Sequence, residues 1–478
     1  MRGQKFFNKL QAAAFLLWLE IFNMLVALPV LRLLFSVLLN KAEVTLLSLS
    51  GLIEIVTSKP FIAVLLLISF ALVIGLACWE VKLVGRHYQV QTSLSFLIWL
   101  PWLAILFRTP FFVLTQWPAF FWSHLRRNWI FACLFCVFYL AAFALLKNKK
   151  RLLILWRPVL TQLALGLICY GLALAWAPLT GVGIFVLEAA GEACWLAFLL
   201  DLLKVNPAHE KNGWLPAAVF AIMAVPMACM FAVPAKRPLL ISHRGVSDAN
   251  GVQNTIPVLK KTSRLQPAYV EIDLHETRDG QFVVMHDDKL TALAGISKSP
   301  HELTLAQLQK IKLHENGHAA PIASFDDYLH TADRLHQRLL VEIKTGPHDS
   351  PNMVQKFVRR YDRRLPHAIL QSADLGAVDQ LRKYSKHPVF YIASYNLTYP
   401  QKEPSGFSMD YSSFNAYFYW QTKKPVFLWT PDSPAALRHA LALRPAGIIT
   451  DSLPCARKVW RAYRTQWQLP AYLLPLLF

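Results

Sequence analysis

The feature that most limits how this chain can fold is a series of apolar runs confined to its first half. Residues 11–39, 61–84, 92–115, 128–146, 158–177, 179–203 and 214–234 are each close to or above the roughly 20 residues that cross the hydrocarbon core as a helix. Residues 1–235 hold 18 Lys and Arg against 8 Asp and Glu, leaving 31 and 21 of the chain's 49 and 29 for residues 236–478. One half is therefore nearly free of charge, and the other has the charge density of a water-soluble domain. A single soluble domain is excluded, and 30 Phe and 15 Trp beside 19 Gly argue against a disordered or collagen-like chain. The expectation is a transmembrane helical domain over 1–235 with about seven spans, a polar domain over 236–458 and an amphipathic aromatic tail over 459–478. The first run is too long, and has too many successors, for a cleaved signal peptide.

The third run is the weakest, because Pro101, Arg108 and Pro110 interrupt it. The stretch 43–58 is apolar but short, and suits the interface or a re-entrant segment. With the N-terminus inside, the inner segments carry 12 Lys and Arg and the outer loops four, with the cluster 147–151 contributing most. Seven spans then place 236–478 outside, as an extracytoplasmic domain of a multi-pass cell-membrane protein; an even number would reverse this. Each half carries a net charge of +10, which favours lipid headgroups or phosphate substrates as partners. So apolar a composition argues against nucleic acid. Six of the seven cysteines lie in the apolar half, and Cys133 with Cys136 reads as packing there. Glu20, Glu188, Glu192 and Asp201 sit in or near the spans, either lining a polar pocket or bonding between helices.

In the polar half, short β-rich runs alternate with helical patterns. The runs are 239–243, 269–274, 282–286, 339–344, 368–372, 389–394, 426–430 and 447–451, with helix-like stretches at 303–312, 352–362, 374–385 and 433–443. Strands buried on both faces and alternating with helices mean a parallel sheet, and eight in this length fit an α/β (β/α)8 TIM barrel. The ionisable residues cluster at run ends, where this barrel places its chemistry. His243 and His286 close two runs. Glu271 and Asp273 lie two apart on one face, as do Glu342 and Lys344. Three carboxylates in one barrel mouth would repel each other, which a divalent cation resolves, and oxygen-only ligands suit Mg2+, Ca2+ or Mn2+. Two histidines could serve as acid and base, and Arg244 with Lys344 could hold an anion. Together these suggest phosphoryl transfer.

The sequence resembles the glycerophosphodiester phosphodiesterase family, and within it the membrane-associated multi-pass branch. The resemblance rests on HRG at 243–245, NT at 254–255, EID at 271–273, TRDGQFVVMHD at 277–287, LTLAQL at 303–308, EIK at 342–344, and WT followed by ITDSLP at 449–454. It implies a TIM barrel with an insertion, here about 288–338. It also implies cleavage of a glycerol-linked phosphodiester to glycerol 3-phosphate and an alcohol. His243 and His286 become the acid–base pair, Glu271, Asp273 and Glu342 the divalent-ion ligands, and Arg244 and Lys344 the phosphate contacts. The implied route has the glycerol 2-hydroxyl attack phosphorus, and water then opens the cyclic phosphate.

Two departures from the family pattern stand out. Gln253 precedes Asn254-Thr255 where a glutamate is usual, bordering the metal site, and Pro431-Asp432 replace Val-Asn after WT. The first implies weaker metal affinity or altered pH dependence, the second an altered substrate loop. His275, Glu276, Asp287 and Asp288 read as loop-orienting residues, and His301, His314, His318 and His330 as surface. Asp451 reads as fixing the barrel end. The tail suits contact with the membrane interface. The expected substrate is a glycerophosphodiester, lipid-derived or lipid-linked. A different expectation is a non-catalytic phosphodiester-binding module coupled to transport or sensing, which Gln253 alone favours. A phospholipase cleaving on the other side of phosphorus is a third.

Overall fold

A computed structural model of the chain describes residues 14–42, 49–87, 236–393, 404–412, 414 and 424–465, with isolated helical residues between 133 and 222. The N-terminal part contains α1 (Ala14–Phe22), a π-helical turn (Asn23–Ala27), α2 (Leu28–Ala42), α3 (Leu49–Ser58) and α4 (Pro60–His87). Among the described residues, one helical stretch, Pro60–Val84, is long and apolar enough to cross a membrane. Its side chains Phe61, Leu67 and Ile74 are 74%, 62% and 60% exposed. The expected span 11–39 is described from residue 14, broken by the π turn, with a shorter apolar stretch over Leu25–Leu39. The expected spans from 92 onward, with Glu188, Glu192 and Asp201, lie outside the described residues. The short stretch 43–58 forms α3 from Leu49. Its Glu54 carboxylate accepts hydrogen bonds from the Leu375 and Gly376 amides of the C-terminal domain, at 3.3 and 3.1 Å.

Residues from Leu239 build the barrel. Its strands are β1 (Leu239–Ser242), β2 (Tyr269–Glu276), β7 (Leu339–Ile343), β8 (Ile369–Ser372), β9 (Val389–Ala393), β10 (Gly406–Asp410), β11 (Val426–Trp429) and β12 (Gly447–Thr450). Between β2 and β7 lie β3 (Phe282–Val284), β4 (Lys312–Glu315), β5 (His318–Pro321) and β6 (Ala323–Ser324). The eight barrel strands pair in parallel, and β1 pairs with both β2 and β12, which closes the sheet on itself. Closure removes the edges that an open sheet would have to protect.

The expected third strand, 282–286, is corrected. β3 runs antiparallel to β2, with Leu274 opposite Val284, and pairs on its other edge with β6, also antiparallel. Only five residues join β2 to β3, which permits a hairpin and forbids a parallel crossover. Gly280, at φ +69°, makes that turn. The eighth barrel strand is instead β10, GFSMD, whose Gly and two polar residues hide the strand signal. Its Gly406 has a steric cause: a Cβ there would meet the Phe390 ring at 2.3 Å.

The helices surround the sheet: α5 (Ile256–Ser263), α6 (Thr291–Ala294), α7 (Leu305–Leu308), α8 (Phe325–Arg334), α9 (Met353–Tyr361), α10 (Leu375–Tyr384), α11 (Pro434–Ala442) and α12 (Leu453–Thr465). Their starts follow capping chemistry. The side chains of Thr304, Ser324, Asp374 and Ser433 accept backbone amides of α7, α8, α10 and α11. Outward strand residues such as Val270, Ile272, Leu274 and Val341 pack with Leu259, Phe325, Phe357 and Leu381 into the main core. The expected tail is corrected at its start. Residues 459–465 end α12, and Val459, Trp460 and Tyr463 are buried in that core; residues 466–478 lie outside the described ones.

Inside the barrel, Ile241, Tyr269, Leu340, Ile369, Phe390, Phe427 and Ile449 form a separate buried cluster. Two residues further along β2 and β7 the inward side chains become Glu271, Asp273 and Glu342. An apolar floor thus lies directly under the polar mouth.

Candidate active site

The loop after β1 brings the first residues together. Arg244 takes φ +50° and Gly245 φ +72°. A Cβ on Gly245 would also sit 3.3 Å from the Tyr328 hydroxyl and from Val258, so glycine answers both the conformation and the space. This turn aims the Arg244 amide at Glu271 Oε2, to which it donates at 2.9 Å. Asn254, at φ +58°, donates through Nδ2 to Asp273 Oδ2 at 2.9 Å and accepts the Asp273 amide at 3.3 Å. Asparagine is among the side chains that tolerate this left-handed backbone.

Glu271, Asp273 and Glu342 each offer a carboxylate oxygen, and these atoms lie within 4.8 Å of one another. Glu271 and Asp273 are 3% and 1% exposed. Burial and the neighbouring Asp273 push the Glu271 carboxyl up to about 8. The same two causes push Glu342 up to about 7, against the pull of Lys344. Asp273 stays below its usual range: burial works against its charge, but Lys344, His286, Arg244 and the Asn254 hydrogen bond outweigh it. Lys344 Nζ lies 3.0 Å from Glu342 Oε1 and 3.3 Å from Asp273 Oδ1. Burial opposes its charge, yet those carboxylates hold it well above the ordinary lysine value. Three converging carboxylate oxygens, those of Glu271 and Asp273 buried and that of Glu342 partly so, and two of them reluctant to ionise together, fit a hard divalent cation. Gln371 Nε2 donates to Glu271 at 3.4 Å and Ser408 Oγ donates to Gln371 at 2.7 Å, which fixes the Glu271 side of the cluster.

Both histidines are held through Nδ1, leaving Nε2 as the available ring nitrogen. His243 Nδ1 lies 3.0 Å from Asp451 Oδ1, and His286 Nδ1 lies 2.8 Å from Asp287 Oδ1. Their surroundings push them apart. Burial works against the charge on His243, but the Asp451 hydrogen bond and the Glu271 carboxylate outweigh it and raise its pKa. At His286 burial prevails, with help from Lys344 and Arg244, and the pKa falls.

All nine residues singled out from the sequence gather around this mouth. Arg244 Nη1 donates to Gln253 Oε1 at 2.8 Å, and Arg244 Nε lies 3.8 Å from Asp273 Oδ2. Asp451 does more than fix the barrel end: it orients His243. Asp432, one of the two departures after WT, accepts the Asp451 amide at 2.7 Å and the Thr450 hydroxyl at 2.8 Å, and so holds Asp451 in turn. Asp287 orients His286 rather than a loop. Buried Glu276 accepts from Ser350 and Lys356 and ties β2 to α9. Sequence reasoning missed Gln371 and Ser408. Both are inward polar residues on strands, a signal that period-2 reading could have caught.

The mouth of this eight-stranded parallel barrel thus gathers a carboxylate triad, two carboxylate-held histidines and an arginine, a set suited to holding a cation and an anionic substrate together. The model of the Glycerophosphoryl diester phosphodiesterase family matches residues 243–401, which lie within the barrel domain. A glycerophosphodiester phosphodiesterase of Caldanaerobacter subterraneus is 23% identical over 236 residues, which cover 45% of this chain and 94% of the relative. One from Bacillus subtilis is 32% identical over 75 residues, 16% of this chain and 25% of that one. The solved phosphodiesterase of Oleispira antarctica, in complex with the product sn-glycerol-3-phosphate, is 16% identical. The match covers 47% of this chain and 97% of that one, with a TM-score of 0.43.

Proposed function

We propose that the chain hydrolyses a glycerophosphodiester to glycerol 3-phosphate and an alcohol, with Glu271, Asp273 and Glu342 holding a Mg2+, Ca2+ or Mn2+ ion. The observation that carries this reading is the opposed pair of histidines beside the carboxylate triad. Over the pH interval between their two values, His243 keeps a proton to give and His286 has a lone pair to receive one, the pattern of an acid and a base. His286 takes the proton of the glycerol 2-hydroxyl as that oxygen bonds to phosphorus. His243 protonates the departing alcohol oxygen as its bond to phosphorus breaks. The roles then reverse as water opens the cyclic phosphate. Arg244 and Lys344 hold the phosphate oxygens, Lys344 turning from its carboxylate partners toward the substrate. A bound divalent ion supplies positive charge for the phosphate and keeps the three carboxylates ionised.

The same proposal places the barrel on a multi-pass membrane anchor in the cell membrane, on the extracytoplasmic side, acting on lipid-derived or lipid-linked glycerophosphodiesters. Its support is the run of apolar segments, the exposed apolar surface of Pro60–Val84, and the link from Glu54 to the start of α10 at the strands' C-terminal end. The test is release of glycerol 3-phosphate by purified full-length protein, with each ion and with chelator, from soluble and membrane-embedded substrates. Ion-dependent release that disappears in H243A and E271A is the expected result. Absence of release from either substrate class, with folded protein and ion present, would leave phosphodiester binding without catalysis as the surviving reading.

A further inference from the structure

Gln253 holds the Arg244 guanidinium, and something must hold Gln253. Its amide Nε2 donates to Glu315 Oε1 at 2.7 Å, and its backbone N–H donates to Glu315 Oε2 at 2.8 Å. One carboxylate thus takes both donors of this residue. That grip fixes which way the side-chain amide faces: Nε2 is committed to Glu315, so Oε1 must face Arg244 Nη1, 2.8 Å away.

Glu315 is itself anchored. It ends β4, paired with His318 of β5 across an Asn316-Gly317 turn with φ +52° and +72°. Such a two-residue turn is the tight hairpin form that Asn-Gly favours. At the tip, Asn316 Nδ2 donates to the Gly251 carbonyl at 3.1 Å, pinning the hairpin to the loop that carries Gln253. Beneath it, Leu313 is buried with Val252, Met285 and Ile322 in a second apolar cluster. The hairpin therefore leans on the 251–254 loop with its carboxylate in place.

We propose that Glu315 is a positioning residue for phosphate binding: through Gln253 it orients the Arg244 guanidinium toward the substrate phosphate. The inference rests on the phosphodiesterase reading, in which Arg244 meets phosphate. Arg244 Nε supports it, because that buried N–H has no hydrogen-bond partner among the described residues, as a donor kept for an incoming anion would have. The neutral relay matters too. Gln253 orients the guanidinium without neutralising it, and the carboxylate that would compete with phosphate sits one residue further away.

The experiment uses full-length protein with glycerophosphocholine as substrate and sn-glycerol 3-phosphate as competitive inhibitor. It compares E315Q, Q253E and the double variant E315Q/Q253E. In E315Q a near-isosteric amide cannot accept from both donors of Gln253. KM and the inhibition constant are expected to rise together by about three- to tenfold, the scale of one hydrogen bond, with kcat within about twofold. Q253E alone sets two carboxylates within hydrogen-bond distance and should weaken binding at least as much. The double variant restores a carboxylate–amide pair in the opposite sense and should improve on the worse single variant, a non-additivity that separate structural damage does not produce, while the carboxylate that Q253E sets facing Arg244 keeps both constants above those of the unaltered protein. The inference is overturned if E315Q leaves both constants unchanged, or if the double variant is no better than the worse single one. Should the unaltered protein neither cleave the substrate nor bind glycerol 3-phosphate, the phosphodiesterase reading itself fails, and this inference with it.

Discussion

The interior of the barrel is divided into two layers by a step of one side-chain repeat. On β2, Tyr269 belongs to the apolar floor, and Glu271 and Asp273 to the mouth; on β7, Leu340 and Glu342 divide in the same way. The floor contributes through burial and close packing, as in the Phe390–Phe427 ring pair with centroids 4.6 Å apart. The mouth does the opposite: it gathers like charges in a nearly dry space, at a cost to stability that an ion or a proton must relieve. The floor is what makes the mouth reactive. By keeping water from reaching the carboxylates from below, it helps hold Glu271 near 8 and Glu342 near 7. Chemistry and stability should therefore be separable by mutation along a single strand.

The sharpest break comes from the mouth. H243A should lower glycerol 3-phosphate release by about 10³-fold, since general acid–base groups contribute about 10²–10⁴, and E271A, which removes an ion ligand, should abolish its ion-dependent part. Circular dichroism and melting temperature should change little; a large loss of stability would mean that the mouth also holds the fold. Next is the floor. F427A should cost about 3–5 kcal/mol in denaturant unfolding, the usual range for a buried aromatic, while folded molecules retain turnover. D451N should come third, reducing kcat by about 10²-fold through loss of His243 orientation. It also removes a cause of the raised His243 value, so the alkaline limb of the pH–rate profile should move to lower pH. An unmoved limb would release Asp451 from that role.

The smallest effect concerns ion and pH. In ion-free protein the folded Glu271 and Glu342 bind protons that the unfolded chain releases above their ordinary value of 4.5. The folded state then holds more protons, and stability falls as pH rises from 4.5 toward 8. A divalent ion displaces those protons, so its apparent affinity should rise by up to about tenfold per pH unit for each proton displaced. The melting-temperature gain on adding Mg2+ or Ca2+ should be larger at pH 8 than at pH 6. Equal gains would show that the triad is already ionised without the ion.

Much of the site is legible in the order of residues alone. The period-2 placement of Glu271 with Asp273, and of Glu342 with Lys344, puts those side chains on shared faces by strand geometry. Apolar runs with helices between them imply the barrel. Legibility fails where local signal and tertiary role part. FVVMH has strong strand propensity, but its short connection makes it an antiparallel flank; GFSMD has weak propensity and is a barrel strand. Trp460 and Tyr463 look like interface aromatics, yet they complete the core under α12. Glu315 is invisible, lying 62 residues from Gln253 in a polar hairpin without a motif.

The chain's own order of residues determined which side chains are available, which of them share a strand face, and that three carboxylates meet where a divalent ion could reconcile them. Those follow from backbone periodicity and charge, both local properties. Only the closed barrel decided that Asp451 meets His243 across 208 residues, that Asp432 braces Asp451, and that Glu315 reaches Gln253. Each is a contact between segments distant in sequence, and closure of the sheet and docking of the hairpin bring them within hydrogen-bond reach.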